Sequence, residues 1–169
     1  MSSNALHAMT QELILMRHAH SELVQRGQFD SARPLSPRGL MQASEAARWL
    51  ASKRLAPDRI VCSPALRART TMAAVLPSLN DTEQLIDPRI FQASMHSLVT
   101  VIQAHADAHS VLLVGHNPGL EQLCGWLCHQ QQSSPVVWSM PPASIAVFTF
   151  SSAADTMFRS ARVVAMWKP

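Results

Sequence analysis

Two segments of the chain place a histidine just beyond an apolar run of strand length. The first run is Leu13–Arg17, followed by His18, and the second is Val111–Val114, followed after one glycine by His116. Open α/β sheets bind ligands in the crevice beyond the carboxyl ends of their strands. We therefore expect Arg17, His18 and His116 to meet at one sheet edge, where two imidazoles and a guanidinium suit chemistry on an anion.

The surrounding sequence alternates strand-like apolar runs with helix-like periodic runs, a pattern typical of α/β domains. It predicts a three-layer α/β/α sandwich with a mostly parallel central sheet. A helix is predicted over Ser97–His105, and the last two strands suit an edge of the sheet. The predicted strands are Leu13–Arg17, Arg59–Cys62, Gln84–Ile86, Val111–Val114, Ile145–Phe150 and Val163–Trp167.

Three helices are predicted to begin with a polar N-cap and a proline, at Ser36-Pro37, Ser63-Pro64 and Asn117-Pro118. The first helix has a predicted buried stripe of Leu40, Ala43, Ala47 and Leu50. The other two follow strand ends directly. Because helix N-termini present free N–H groups and partial positive charge, they would add to an anion site.

The composition predicts one globular domain, since 169 residues with 47% hydrophobic content can bury a substantial core. We expect residues 1–11 to form a flexible tail and residues 12–169 a single domain. The net charge of +3 is scattered along the chain, so no nucleic-acid-binding arm is predicted. The three cysteines are expected to be free and packed. With neither a signal peptide nor an apolar span evident, no membrane association and a cytoplasmic location are expected.

Four motifs occur in a fixed order, each at a predicted strand or helix junction. They are Arg17-His18-Ala19, Arg33-Pro34-Leu35-Ser36-x-x-Gly39, Ser63-Pro64-x-x-Arg67-Ala68-x-x-Thr71 and Gly115-His116-Asn117-Pro118. Together they resemble the histidine phosphatase superfamily, and most closely its small branch, the SixA-type phosphohistidine phosphatases. The resemblance extends from about Leu13 to the end of the chain and implies the fold of that superfamily.

The resemblance also implies roles for individual residues. His18 matches the nucleophile that accepts the phosphoryl group, and Arg17 and Arg67 match the arginines of the phosphate pocket. His116 matches the second pocket histidine, and Arg33 matches a further arginine. Guanidinium groups can hold phosphate oxygens bidentately, and nearby arginines disfavour the imidazolium form of a nucleophilic histidine. No metal ligand and no cofactor are implied.

Larger relatives in the superfamily supply a carboxylic general acid and a cap from a longer insertion. Here the interval Leu79–Ser110 has room for one short strand and one helix, so no cap domain is expected. Its acids do not clearly match the general acid, although Asp87 stays open for that role. Phosphohistidine needs such an acid least, because its leaving group is an imidazole with a pKa of about 6.5 once protonated.

The sequence therefore predicts a metal-independent phosphatase acting through a phosphohistidine intermediate, with a phosphohistidine-bearing protein such as a phosphotransfer domain as its partner. One alternative is a phosphomonoesterase acting on a small phosphorylated metabolite. Another is a non-catalytic module that binds phosphate groups on proteins. A metal-binding module is the third, for which His105 and His109 would lie one turn apart if their helix continued.

Overall fold

The computed structural model describes residues 12–129, 138–150 and 158–169. The predicted tail, residues 1–11, lies outside the described residues. So does the polar run at residues 130–135, which its composition predicts to be a loop. Six strands form one sheet: β1 Glu12–Arg17, β2 Arg59–Cys62, β3 Glu83–Ile86, β4 Ser110–Gly115, β5 Ile145–Thr149 and β6 Arg162–Trp167. Four helices accompany them: α1 Pro37–Ser52, α2 Leu66–Val75, α3 Met95–Ala104 and α4 Gly119–His129.

The sheet has the strand order β3-β2-β4-β1-β5-β6. The first four strands in that order are parallel, whereas β5 runs antiparallel to both β1 and β6. The mostly parallel sheet is thus confirmed. Of the last two strands, β6 is an edge as predicted, but β5 lies inside the sheet because β6 covers its outer side.

Both faces of the sheet are covered, which explains why its central strands are almost continuously apolar. In β1, Leu13 and Leu15 pack into one core with residues of α3 and α4, while Ile14 and Met16 pack into the other with residues of α1 and α2. All four side chains are fully buried. The predicted three-layer α/β/α sandwich is confirmed. Between Leu79 and Ser110 the chain forms β3, a short 3-10 turn and α3, with no cap domain.

The predicted start of α1 is confirmed, because Ser36 is its N-cap and accepts a hydrogen bond from the Gly39 N–H at 3.1 Å. The predicted buried stripe is partly wrong. Ala43 and Leu50 are buried and Ala47 is half-buried, but Leu40 is 53% exposed. The buried face instead runs through Gly39, Gln42, Ala43, Ala46 and Leu50.

The other two predicted caps are wrong, because both segments form turns ahead of their helices. The N-cap of α2 is Ala65, two residues after Ser63, and α4 begins at Gly119, after a cis Asn117-Pro118 peptide bond. The side chains of Ser63 and Asn117 are used elsewhere: Ser63 contacts His116, and Asn117 Nδ2 donates to the Met140 carbonyl. Both turns lie at the carboxyl edge of the sheet.

Candidate active site

Strand pairing brings the residues after β1, β2 and β4 together. In the sheet register Arg17 lies opposite Gly115, and Cys62 lies opposite Val114. Two hydrogen bonds extend this pairing past the strands, from His18 N–H to the Gly115 carbonyl at 3.1 Å and from Ser63 N–H to the Val114 carbonyl at 3.1 Å. The first residues beyond three neighbouring strands therefore form one rigid cluster.

An open cleft of about 420 Å³ lies over this cluster. All five side chains that the sequence singled out for phosphate chemistry line it: Arg17, His18, Arg33, Arg67 and His116. His20, which follows the proposed nucleophile by two residues, and Pro142 line it as well. The concentration of guanidinium and imidazole groups makes the cleft a site for an anion.

His18 is buried and hydrogen-bonded so that one of its ring nitrogens is free to react. Its Nδ1 lies 2.7 Å from the Ala19 carbonyl oxygen, which can only accept, so Nδ1 holds the proton and Nε2 has a lone pair. Burial lowers the pKa of His18 to about 3, helped by the charges of Arg67 and Arg17 and opposed by the hydrogen bond to Ala19. His18 is thus a neutral imidazole at neutral pH, as a nucleophile requires.

Arg67 is the side chain that joins the two histidines. Its Nε donates to His18 Nε2 at 3.2 Å, and its terminal NH2 group lies 3.4 Å from His116 Nδ1. The residue is 3% exposed, and burial lowers the pKa of its guanidinium, while the neighbouring carboxylate of Asp30 opposes that shift. One guanidinium thus faces both imidazoles from the first turn of α2.

His116 is oriented from behind by Ser63, whose Oγ lies 2.7 Å from its Nε2. Because an arginine can only donate, the contact with Arg67 places a lone pair on His116 Nδ1, so Nε2 donates to the serine oxygen. Burial and the charge of Arg67 lower the pKa of His116 to about 4. The sequence predicted Ser63 to be a helix cap, and its motif gave no indication that the serine contacts His116.

Arg17 lines the cleft and has one buried donor without a partner among the described residues. Its NH1 group donates to the Met140 carbonyl at 2.7 Å, while its Nε is buried without a hydrogen-bond partner among the described residues. Burial lowers the pKa of Arg17, opposed by the charge of Glu121. A buried donor without a partner is costly.

Asp30 is a site residue that the sequence analysis missed. Its carboxylate bonds to Arg67 at 2.9 Å and to Arg33 Nε at 2.8 Å, and its carbonyl accepts from Arg67 NH1 at 2.7 Å. Burial opposes ionisation of Asp30, but the two arginines outweigh it and hold its pKa below the usual value. The carboxylate is therefore ionised at neutral pH. The sequence indicated this contact only by placing Asp30 three residues before Arg33.

Two residues of the motifs hold the loop after His18 in place. Thr71 Oγ1 accepts from the Ala19 N–H at 3.0 Å and donates to the Arg67 carbonyl, which ties the loop to α2. At Gly39 a Cβ atom would lie 1.9 Å from the backbone oxygen of His20. The glycine of the second motif therefore allows the start of α1 to pack directly against the loop.

Other candidates from the sequence lie outside the cleft. Asp87 caps a 3-10 turn and bonds to Arg89, and it is not among the lining residues. The helix α3 ends at Ala104, so His105 and His109 do not share a helix, and His105 lies 3.9 Å from Asp87 instead. Within the described residues no three His, Cys, Asp or Glu side chains cluster as metal ligands would.

The cysteines match the expectation that they are free and packed. Cys62, Cys124 and Cys128 are all buried and free, and burial raises the pKa of each thiol, that of Cys62 to about 12. Thiols in that state are poor nucleophiles. None of the helices in the described ranges has the length and apolar character that a bilayer crossing needs.

Comparison with known sequences agrees with this geometry. A family profile described as the histidine phosphatase superfamily (branch 1) matches residues 13–90. The phosphohistidine phosphatase SixA of Escherichia coli is 30% identical over 121 residues, which cover 69% of this chain and 74% of that protein. An uncharacterised protein of Mycobacterium tuberculosis is 36% identical over 104 residues, which are 61% of this chain and 63% of that protein's own length.

Comparison with solved structures extends the similarity to nearly the whole chain. A protein from Agrobacterium tumefaciens that bears the name phosphohistidine phosphatase SixA superimposes with a TM-score of 0.81 at 25% identity. The superposition covers 95% of this chain and 99% of that one. The described sheet and its two helical layers thus correspond to nearly the whole of that protein.

Proposed function

Because the chain belongs to the histidine phosphatase superfamily, whose members are phosphatases, we propose that it removes a phosphoryl group from phosphohistidine on another protein. The observation that favours this substrate is the state of the acids in the cleft. Among the described residues, Asp30 is the carboxylate that lines it, and Arg67 and Arg33 keep that group ionised. His116, with its pKa of about 4, is likewise unprotonated at neutral pH.

Because neither Asp30 nor His116 is a protonated acid at neutral pH, the site favours a substrate with a good leaving group. An alkoxide leaving from a phosphate ester needs a proton from the enzyme. A phosphohistidine ring that is already protonated on its other nitrogen leaves as a neutral imidazole, whose conjugate acid has a pKa of about 6.5. The similarity to the phosphohistidine phosphatase SixA of Escherichia coli supports the same substrate class.

In the first step the Nε2 lone pair of His18 forms a bond to phosphorus, and the P–N bond to the substrate histidine breaks. The substrate ring carries a proton on its other nitrogen, so the electron pair of that bond leaves with a neutral imidazole. Arg67 moves from the His18 lone pair onto the phosphoryl oxygens, where Arg17 and Arg33 add charge as the transfer proceeds. Water then attacks the phosphorylated His18, which releases inorganic phosphate and restores the neutral imidazole.

The positive charge that phosphoryl transfer requires is supplied by three arginines, so the proposal includes activity without a metal ion. The test measures phosphate release from a phosphotransfer domain carrying phosphohistidine, with chelator present throughout. Wild type, His18→Ala and the control His96→Ala are compared, since His96 is an exposed residue of α3 that does not line the cleft.

We expect release by wild type and by His96→Ala, and none by His18→Ala. An alkali-quenched reaction of the wild type with labelled substrate should also retain label on the enzyme, because phosphohistidine survives alkali. Full activity in His18→Ala would refute the mechanism. If phosphate is released from a sugar or nucleotide phosphate in preference to the phosphoprotein, the proposed mechanism stands, but the substrate is a small metabolite. Tight phosphate binding without turnover would indicate a binding module.

A further inference from the structure

The segment between β1 and α1 exposes three large apolar side chains beside the cleft. We call residues 21–33 the rim loop. Within it, Leu23 is 85% exposed, Val24 57% and Phe29 82%. Single exposed apolar residues are ordinary on protein surfaces, but several on one loop beside a binding cleft are typical of interaction sites.

Hydrogen bonds hold the rim loop in this conformation. The Glu22 N–H donates to the Pro34 carbonyl at 3.0 Å, which closes the base of the loop. Arg33 NH1 donates to Ser21 Oγ at 3.1 Å and to the Glu22 carbonyl at 3.0 Å, and the Gln28 N–H donates to the Gln25 carbonyl. The apolar side chains are therefore displayed by a fixed backbone.

The rim loop is continuous with the candidate active site. Leu23 lines the cleft, and Phe29 directly precedes Asp30, whose carboxylate bonds to Arg67 at 2.9 Å. A group attached to a phosphoryl bound between Arg67 and His18 leaves the cleft across its rim, and the rim loop forms part of that rim through Leu23. The chemistry of the rim therefore selects what the phosphoryl group is attached to.

We propose that the rim loop is the docking surface for the folded protein that presents the phosphohistidine, with Val24 and Phe29 packing against apolar side chains next to that histidine. This inference rests on the proposed function. The hydroxyl groups of a sugar or nucleotide need hydrogen-bond partners, which valine, leucine and phenylalanine side chains do not offer. The surface of a protein supplies apolar side chains, whose burial against the rim favours association.

The test compares two substrates of the same reaction. One is a phosphotransfer domain phosphorylated on histidine with phosphoramidate, and the other is phosphohistidine as the free amino acid. The variants are Val24→Ser, Phe29→Ser and the double variant. The control is Val164→Ser, because Val164 on β6 is also 57% exposed but is neither in the rim loop nor among the residues lining the cleft.

We expect the double variant to raise KM for the phosphoprotein about tenfold or more, which corresponds to about 1.4 kcal/mol of lost binding. Its kcat/KM for free phosphohistidine should equal that of wild type, and Val164→Ser should match wild type on both substrates. Each single variant should show part of the effect. Equal kinetics of the double variant and wild type on the phosphoprotein would overturn the docking proposal while leaving the proposed function intact.

An equal loss on both substrates would also overturn it, because the loop would then shape the cleft and not the protein contact. If wild type released phosphate from neither substrate, the proposed function would fail, and the docking proposal with it. Thermal melting of each variant shows that the compared proteins are folded.

Discussion

Arg67 donates its Nε hydrogen to the Nε2 lone pair of His18 at 3.2 Å, so in the unliganded site the two groups required for phosphoryl transfer satisfy each other. An incoming phosphoryl group has to replace this contact with two others: phosphorus on His18 Nε2 and oxygens on the guanidinium. Because a guanidinium can only donate hydrogen bonds, this contact requires that His18 Nε2 carries a lone pair and no proton.

Arg67→Lys tests whether the planar guanidinium is needed, since lysine keeps the charge but cannot face His18, His116 and Asp30 together. We expect kcat/KM for phosphohistidine to fall by about 10²–10³-fold. The measurement is steady-state phosphate release, with Arg69→Lys as the control, because Arg69 lies on the same turn of α2 but is exposed. A kcat/KM within about threefold of wild type would contradict this role for Arg67.

Ser63→Ala removes the oxygen that orients His116 from 2.7 Å. Ser63 is a positioning residue, so we expect kcat to fall about tenfold with a smaller change in KM, and the free energy of unfolding to drop by about 1 kcal/mol. The control Ser144→Ala removes a buried hydroxyl that has no hydrogen-bond partner among the described residues. That change should leave stability equal or higher, as measured by urea unfolding. Unchanged kcat in Ser63→Ala would show that His116 does not depend on the serine.

Asp30→Asn removes the negative charge that now occupies Arg67 and Arg33. An anion entering the cleft competes with this carboxylate for the same guanidinium groups. We therefore expect inorganic phosphate to inhibit the variant about three- to tenfold more strongly than wild type, which corresponds to about 0.7–1.4 kcal/mol. Inhibition constants for phosphate at fixed pH decide the question. Weaker inhibition in the variant would mean that Asp30 chiefly holds Arg67 in position.

The depressed pKa values of His18 and His116, about 3 and about 4, make the stability of the fold depend on pH. Both imidazoles stay neutral in the folded protein, whereas in the unfolded chain they take up protons below about pH 6.5. Acid therefore stabilises the unfolded state. The free energy of unfolding should be unaffected by these groups above about pH 7 and should fall by up to about 1.4 kcal/mol per pH unit for each as the pH drops from 6.5 toward 4.

Urea unfolding at pH 7 and pH 5 measures this dependence. The double variant His18→Asn, His116→Asn should lose less stability than wild type between the two pH values, because neither new side chain titrates. If wild type and the double variant lose the same free energy of unfolding, other groups account for the acid sensitivity.

The sequence was most informative where strand order fixes position. His18 and His116 each follow a buried apolar run, and runs of that kind become neighbouring central strands, so their proximity could be predicted from the sequence alone. Asp30 could not be predicted in the same way. It reaches Arg67, 37 residues away, through the path of an irregular loop, which no period or spacing describes.

The errors in the helix predictions have a local cause. Ser63-Pro64 and Asn117-Pro118 have the composition of a cap, but the serine hydroxyl and the asparagine amide bond to His116 and to the Met140 carbonyl, so each helix starts further along. At Leu40 the apolar type suggested burial, but α1 packs through the face that contains Gly39, which meets the backbone of His20, and Leu40 lies outside that face.

The position of β1 in the sheet determines which motions the site tolerates. β1 and β4 are both interior strands, each hydrogen-bonded on two sides, whereas β6 pairs on one side and is largely exposed. Local opening begins where backbone groups are least protected, so fraying of β6 leaves His18 and His116 directly beyond the ends of paired strands. We therefore expect amide protons next to the two histidines to exchange with solvent only through global unfolding. Amide protons of β6 should exchange faster, through local opening.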